Sequence, residues 1–206
     1  EQKDFLDKMI QYYAESIQEG SATEQERIRQ ARAYHRMGRL NQILGRDKDS
    51  ENAYRRAVSL FQQLAADFPN RPEFRQELAS SHNVLGVLLR TTGRLKEAES
   101  AYIEGLAIFK QLAADFPNRR EFRQALAGFH QNLGSLLHVT RRLTEAESAY
   151  VEALAIRKQL AAEFPTNPGL NRALAMSHNS LGWLFQDTKR LEKAEPAFRD
   201  AVALQK

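Results

Sequence analysis

A fixed period constrains this chain more than any single residue does. Leu85 to Gly105 reads LGVLLRTTGRLKEAESAYIEG; 48 residues on, Leu133 to Ala153 reads LGSLLHVTRRLTEAESAYVEA, and Leu181 to Ala201 reads LGWLFQDTKRLEKAEPAFRDA. Residues 61–108 and 109–156 agree at 34 of 48 positions, and residues 157–204 follow more loosely. One step back, Gly38, Gly45, Tyr54 and Ala57 fall on Gly86, Gly93, Tyr102 and Gly105, while Asn41 and Ser50 depart from the pattern. Repetition at such a spacing means one supersecondary unit stacked on itself, each copy covering the apolar face of the next.

Each copy reads as two helices. Phe74, Leu78, His82, Leu85 and Leu89 lie four, four, three and four apart, one face of a 3.6-residue period. Leu95, Ala98, Tyr102, Gly105, Phe109, Leu112 and Phe116 form the stripe of the second helix. Gly93 marks the turn between them, replaced by Arg141 and Lys189 in later copies; a left-handed residue there costs about 1 kcal/mol. The second helices should stop at Phe68-Pro69, Phe116-Pro117 and Phe164-Pro165, since the residue before proline is pushed out of the helical region. Pro72 and Pro168 suit a first turn, Asn167 a cap, and Thr23 with Glu26 a capping box. Gly86 is expected to admit a neighbouring backbone, and Tyr102 to fill the hole between Ala98 and Gly105.

The run Leu85, Gly86, Leu89, Ala98, Tyr102, Gly105 resembles the tetratricopeptide repeat, clearly in three copies and recognisably in a fourth. The resemblance implies an all-α, right-handed superhelical solenoid of antiparallel helix pairs. Its segments are a half-repeat helix at 1–19 and pairs at 20–68, 69–116, 117–164 and 165–206. The period exceeds the family's usual 34 by about four helical turns, so helices of roughly 20 residues and ~30 Å are expected. LAADFPNR, HNVLG and GRLKEAESAY together resemble the long arrays that follow serine/threonine kinase domains in some bacterial proteins. No kinase motif occurs here, and a chain that begins at Glu1 reads as part of something longer.

Catalytic signals are absent: no phosphate-cradling glycine loop, no His-Glu-x-x-His and no cysteine, so no enzyme activity and no cofactor are expected. His82, His130 and His178 recur at the period and look like a ligand set. Equivalent positions on stacked helices stand about 10 Å apart, whereas zinc needs nitrogens near ~2 Å. They read as packed imidazoles bonded to a neighbour, with no metal. No apolar run approaches a membrane span and no signal-peptide pattern occurs, which favours a cytoplasmic setting.

The two near-identical copies differ at 14 positions, nine of them in the first helix, mostly three or four apart. In the family this face lines the concave groove where peptides bind. Carried through the copies, the stripe gives Arg32, His35, Arg36 and Arg39; Asn83, Val87 and Arg90; Gln131, Ser135 and His138; and Asn179, Trp183 and Gln186. Trp183 would anchor a partner and the amides would bond its backbone. The family's carboxylate clamp is not reproduced, because His35, Arg39, Val84, Gly128 and Asn132 occupy its positions.

Six arginines and no acid lie between Arg27 and Arg46, with Arg29, Arg32, Arg36 and Arg39 on one face. Their planar forks suit an acidic or phosphorylated protein partner. A nucleic-acid-binding module using this arginine-rich copy is the alternative, although a net charge of +4 gives it little support. Phe198 and Val202 near the chain's end would be uncovered, so a weak homodimer through residues 190–206 is expected.

Overall fold

In the computed structural model, residues 2–17 and 23–204 are described. They form nine helices and no strand: α1 (Gln2–Ser16), α2 (Glu24–Ile43), α3 (Asp47–Asp67), α4 (Pro72–Thr91), α5 (Leu95–Asp115), α6 (Arg120–Val139), α7 (Leu143–Glu163), α8 (Pro168–Asp187) and α9 (Leu191–Ala203). From α2 to α8 every helix has 20 or 21 residues, as the long period requires. The helices gather into two compact units, Glu1–Ile108 and Phe109–Lys206, with the boundary inside α5.

The turns and caps follow local chemistry. Gly45 and Gly93 sit at φ +70° and +81°, and Arg141 and Lys189 adopt the same left-handed region at 62° and 58°. The turn therefore keeps its shape when glycine is lost, and the strain stays in the backbone. Helices α3 and α7 end at the residue before Phe68-Pro69 and Phe164-Pro165, whose phenylalanines are no longer helical. Asn167 caps α8 by accepting from the amides of Gly169 (3.0 Å) and Leu170 (3.3 Å). At α2 Thr23 takes the N-cap position of the expected capping box. Thr23 Oγ1 accepts from the Glu26 amide (3.4 Å) and donates to the Glu26 carboxylate (2.5 Å).

In the first unit the core holds Ala31, Ala57, Phe61, Leu64, Phe74 and Leu78, bordered by Ile28, Tyr34 and Phe68. Burying each large side chain contributes about 1.5–3 kcal/mol, which is what holds α3 against α4. A Cβ on Gly86 would come within 2.7 Å of the Tyr102 ring, and one on Gly38 within 2.5 Å of Tyr54. The glycine thus admits its own repeat's tyrosine ring, not a neighbouring backbone as the sequence suggested. Arg94 bridges Glu51 and Glu97 (2.5 Å each), tying the start of α5 to α3.

The second unit repeats the scheme. Leu137, Ala146, Ala149, Tyr150, Leu181 and Leu184 form its core. Gly134 lies under Tyr150 and Gly182 under Phe198, with added Cβ atoms 2.6 Å from the ring in both cases. Phe198 is therefore half-buried by its own repeat and is not the uncovered residue the sequence implied; Val202, at 56% exposure, is. Arg190 and Glu147 pair at 2.8 Å, in the register of Arg94 and Glu51.

Candidate functional site

The first-helix face of the first unit is built by α2 and α4. Ala31, Ala33, Gly38 and Asn41 turn inward, which leaves Arg32, Arg36 and Arg39 exposed. Arg36 Nη1 donates to the Tyr13 hydroxyl (3.1 Å), and its guanidinium lies 5.5 Å from that ring's centre. His35 is half-buried, edge-on to Tyr54 at 5.8 Å, with Nδ1 3.3 Å from Ser81 Oγ on α4. Ser81 gives its own proton to the Glu77 carbonyl (2.9 Å), so the imidazole donates in this contact. Burial above all holds His35 below the usual histidine range, opposed by Glu77 and aided by Arg39 and Arg36. Asn83, Val87 and Arg90 are half-buried, and Arg90 lies against the Tyr102 phenol, which burial pushes up.

The structure divides the six arginines by task. Arg27 pairs with Asp67 and Arg46 with Asp7, both at 2.5 Å, so these two hold helices together. Arg29, Arg32, Arg36 and Arg39 make no ion pair among the described residues.

In the second unit the face comes from α6 and α8. Gln131 Nε2 donates to Ser180 Oγ (2.8 Å), and His138 Nε2 lies 2.8 Å from Asp187 Oδ2. These two candidates tie α6 to α8 with their polar atoms. Ser135 lies by the Tyr150 hydroxyl, and Asn179 is half-buried. Gln186 is exposed, and Trp183 is 56% exposed, edge-on to Phe198 at 5.3 Å.

Two features were missed in the sequence. Arg157 occupies the register of Phe61 and Phe109, is 7% exposed, and packs behind Gln131. Its Nη1 donates to Gln131 Oε1 (3.0 Å), the Ala173 carbonyl (3.1 Å) and Ser177 Oγ (2.7 Å). The break in the Phe-Phe-Arg register was its signal. The second feature is a carboxylate facing each repeated histidine: Glu104 for His82, Glu152 for His130, Asp200 for His178. These acids recur at the same period. His82 Nδ1 is 3.2 Å from Glu104 Oε2 but off hydrogen-bonding alignment, and it has no hydrogen-bond partner among the described residues. His178 Nδ1 is 3.5 Å from Asp200. The imidazoles are packed against acids, and no group of three metal-ligating side chains gathers among the described residues.

Sequence models described as tetratricopeptide repeat match residues 78–118 and 131–164, and residues 31–63 and 177–206. The matches fall on each helix pair in turn. The chain belongs to the tetratricopeptide-repeat family. No curated protein matches the sequence. Among solved structures, BtubC (BKLC) from P. vanneervenii has a TM-score of 0.77 at 21% identity, covering 97% of this chain and 73% of that one. The apo form of RapI gives 0.74 at 17%, covering 97% and 64%. MamA gives 0.63 at 16%, covering 99% and 91%. The likeness is one of fold. Tetratricopeptide repeats generally serve as scaffolds for protein interaction without catalysis, and no helix of the described residues is long and apolar enough to cross a membrane.

Proposed function

We propose that this tetratricopeptide-repeat chain binds a peptide segment or partner domain on the first-helix faces of its units and performs no chemistry of its own. The observation that carries this reading is the division of α2 and α8. One side of each helix is sealed, by Ala31 and Gly38 in α2 and by Leu181 and Leu184 in α8. The other presents Arg32, Arg36 and Arg39, or Trp183 and Gln186, to solvent. Side chains carried on helices already fixed by the core contribute contact area without a further backbone-ordering cost.

Titration with an acidic peptide library tests the reading. Saturable binding should weaken about tenfold or more in Arg36→Glu or Trp183→Ala, and binding unchanged in both would sink it. Single-stranded nucleic acid is the second reading, supported by Tyr12 standing exposed beside the arginines. It predicts oligonucleotide affinity that falls steeply with salt. Exposed Leu191 and Val202 on α9 are the surface for weak self-association, checked by sedimentation at rising concentration.

A further inference from the structure

A cleft of about 420 Å³ opens between α1 and α2 in the first unit. Tyr12 and Tyr13 come from α1, Arg29, Arg32 and Arg36 from α2, and Ile28 contributes apolar lining. Among the described residues no carboxylate lines it. Of the acids on and around these helices, Asp7 pairs with Arg46, Asp67 with Arg27 and Glu24 with Arg71, while Glu15 accepts from Gln11 Nε2 and Glu26 from Thr23 Oγ1. Arg29 and Arg32 are exposed, and Arg36 is already oriented by its hydrogen bond and ring contact with Tyr13. Tyr12, 67% exposed, stands edge-on to Tyr13 at 5.6 Å and extends the aromatic wall.

We infer that this cleft takes a phosphomonoester carried on a side chain of the partner protein. Three guanidinium forks with no acid among the described lining residues exceed what one carboxylate can neutralise. A phosphomonoester brings about −1.5 to −2 charges and three acceptor oxygens, and pairs bidentately with arginine. A nucleic-acid backbone offers one charge per phosphate and needs a track, whereas this volume is of the order that holds a single small group. Pre-orientation of Arg36 by Tyr13 reduces the ordering cost of binding. The inference rests on the protein-binding reading, since a peptide presents the phosphate.

The test is calorimetry at two salt concentrations with four probes. They are a short peptide bearing one phosphotyrosine, its unphosphorylated twin, free phosphotyrosine and an oligothymidine. The phosphopeptide should bind at least about tenfold more tightly than its twin. Arg29→Gln and Arg32→Gln should each remove most of that preference, Tyr12→Ala should lower it, and Trp183→Ala should leave it intact. All four side chains are exposed, so an unchanged melting curve certifies the fold of each variant. Equal binding of the two peptides, tighter binding of oligothymidine, or a preference that survives Arg29→Gln with Arg32→Gln overturns the inference. Two outcomes separate it from the reading beneath it. Peptides that bind through Trp183 regardless of phosphate leave the scaffold standing without this cleft. Free phosphotyrosine that binds while neither peptide does leaves the cleft without the scaffold.

Discussion

Registers 35, 61 and 81 in the first unit carry His, Phe and Ser; registers 131, 157 and 177 in the second carry Gln, Arg and Ser. In the first, His35 meets Ser81 directly at 3.3 Å, and the fully buried Phe61 packs in an apolar core. In the second, the guanidinium of Arg157 stands between Gln131 and Ser177 and bonds both. Both arrangements join consecutive first helices through a polar bridge. Helix geometry is common to the two units, while the seam chemistry is free to change wherever each buried polar atom finds a partner. Arg157 has no carboxylate partner among the described residues, and burial draws its pKa below the usual arginine range.

The largest expected effect breaks the second seam. Arg157→Ala leaves Gln131, Ser177 and the Ala173 carbonyl without their donor and opens a cavity, costing about 2–5 kcal/mol in urea unfolding. Gln131→His with Arg157→Phe rebuilds the first unit's trio and should return to within about 1.5 kcal/mol of the parent. A near-neutral Arg157→Ala would show that the bridge holds nothing.

What the units share is tested next. Gly86→Ala and Gly134→Ala each push a methyl against a tyrosine ring, at 2.7 and 2.6 Å, and should cost about 1–3 kcal/mol alike. Unequal losses would mean that the two ring-on-glycine contacts differ in rigidity. The turns give a smaller contrast of opposite sign. Lys189→Gly and Arg141→Gly should each gain about 1 kcal/mol by relieving positive φ, whereas Gly93→Ala should lose about as much.

The smallest effect per residue is common to both units. Burial, as the leading cause, holds His35, His82, His130 and His178 below the ordinary histidine value, against the pull of facing carboxylates. As pH falls below about 6.5 the unfolded chain takes up protons before the folded one does, so stability is complete above that pH and declines below it. Denaturation midpoints from pH 8 to 5 check the sign. His178→Gln should flatten part of the decline, and a rising midpoint would reverse the assignment.

Much of the fold was legible because repetition multiplied weak local signals. One Phe-Pro pair hints at a helix end, but three at the same interval define where second helices stop. Gly45 and Gly93 marked their turns for the same reason, and Arg141 and Lys189 inherited theirs. The candidate face was legible only as a stripe. That Gln131 and His138 spend their polar atoms on Ser180 and Asp187 depends on how far α6 lies from α8. That Tyr13 of the half-repeat helix holds Arg36 through its hydroxyl likewise depends on how α1 lies against α2.

The sequence by itself determined the helices, their lengths, their ends and their inward faces, because these depend on residues three or four apart and on backbone sterics. Tertiary structure alone decided which of six arginines bind acids of the protein, which side of Gly86 is filled by Tyr102, and where Arg157 sends its protons. A side chain's partner is set by distances across helices, and no spacing along the chain encodes them.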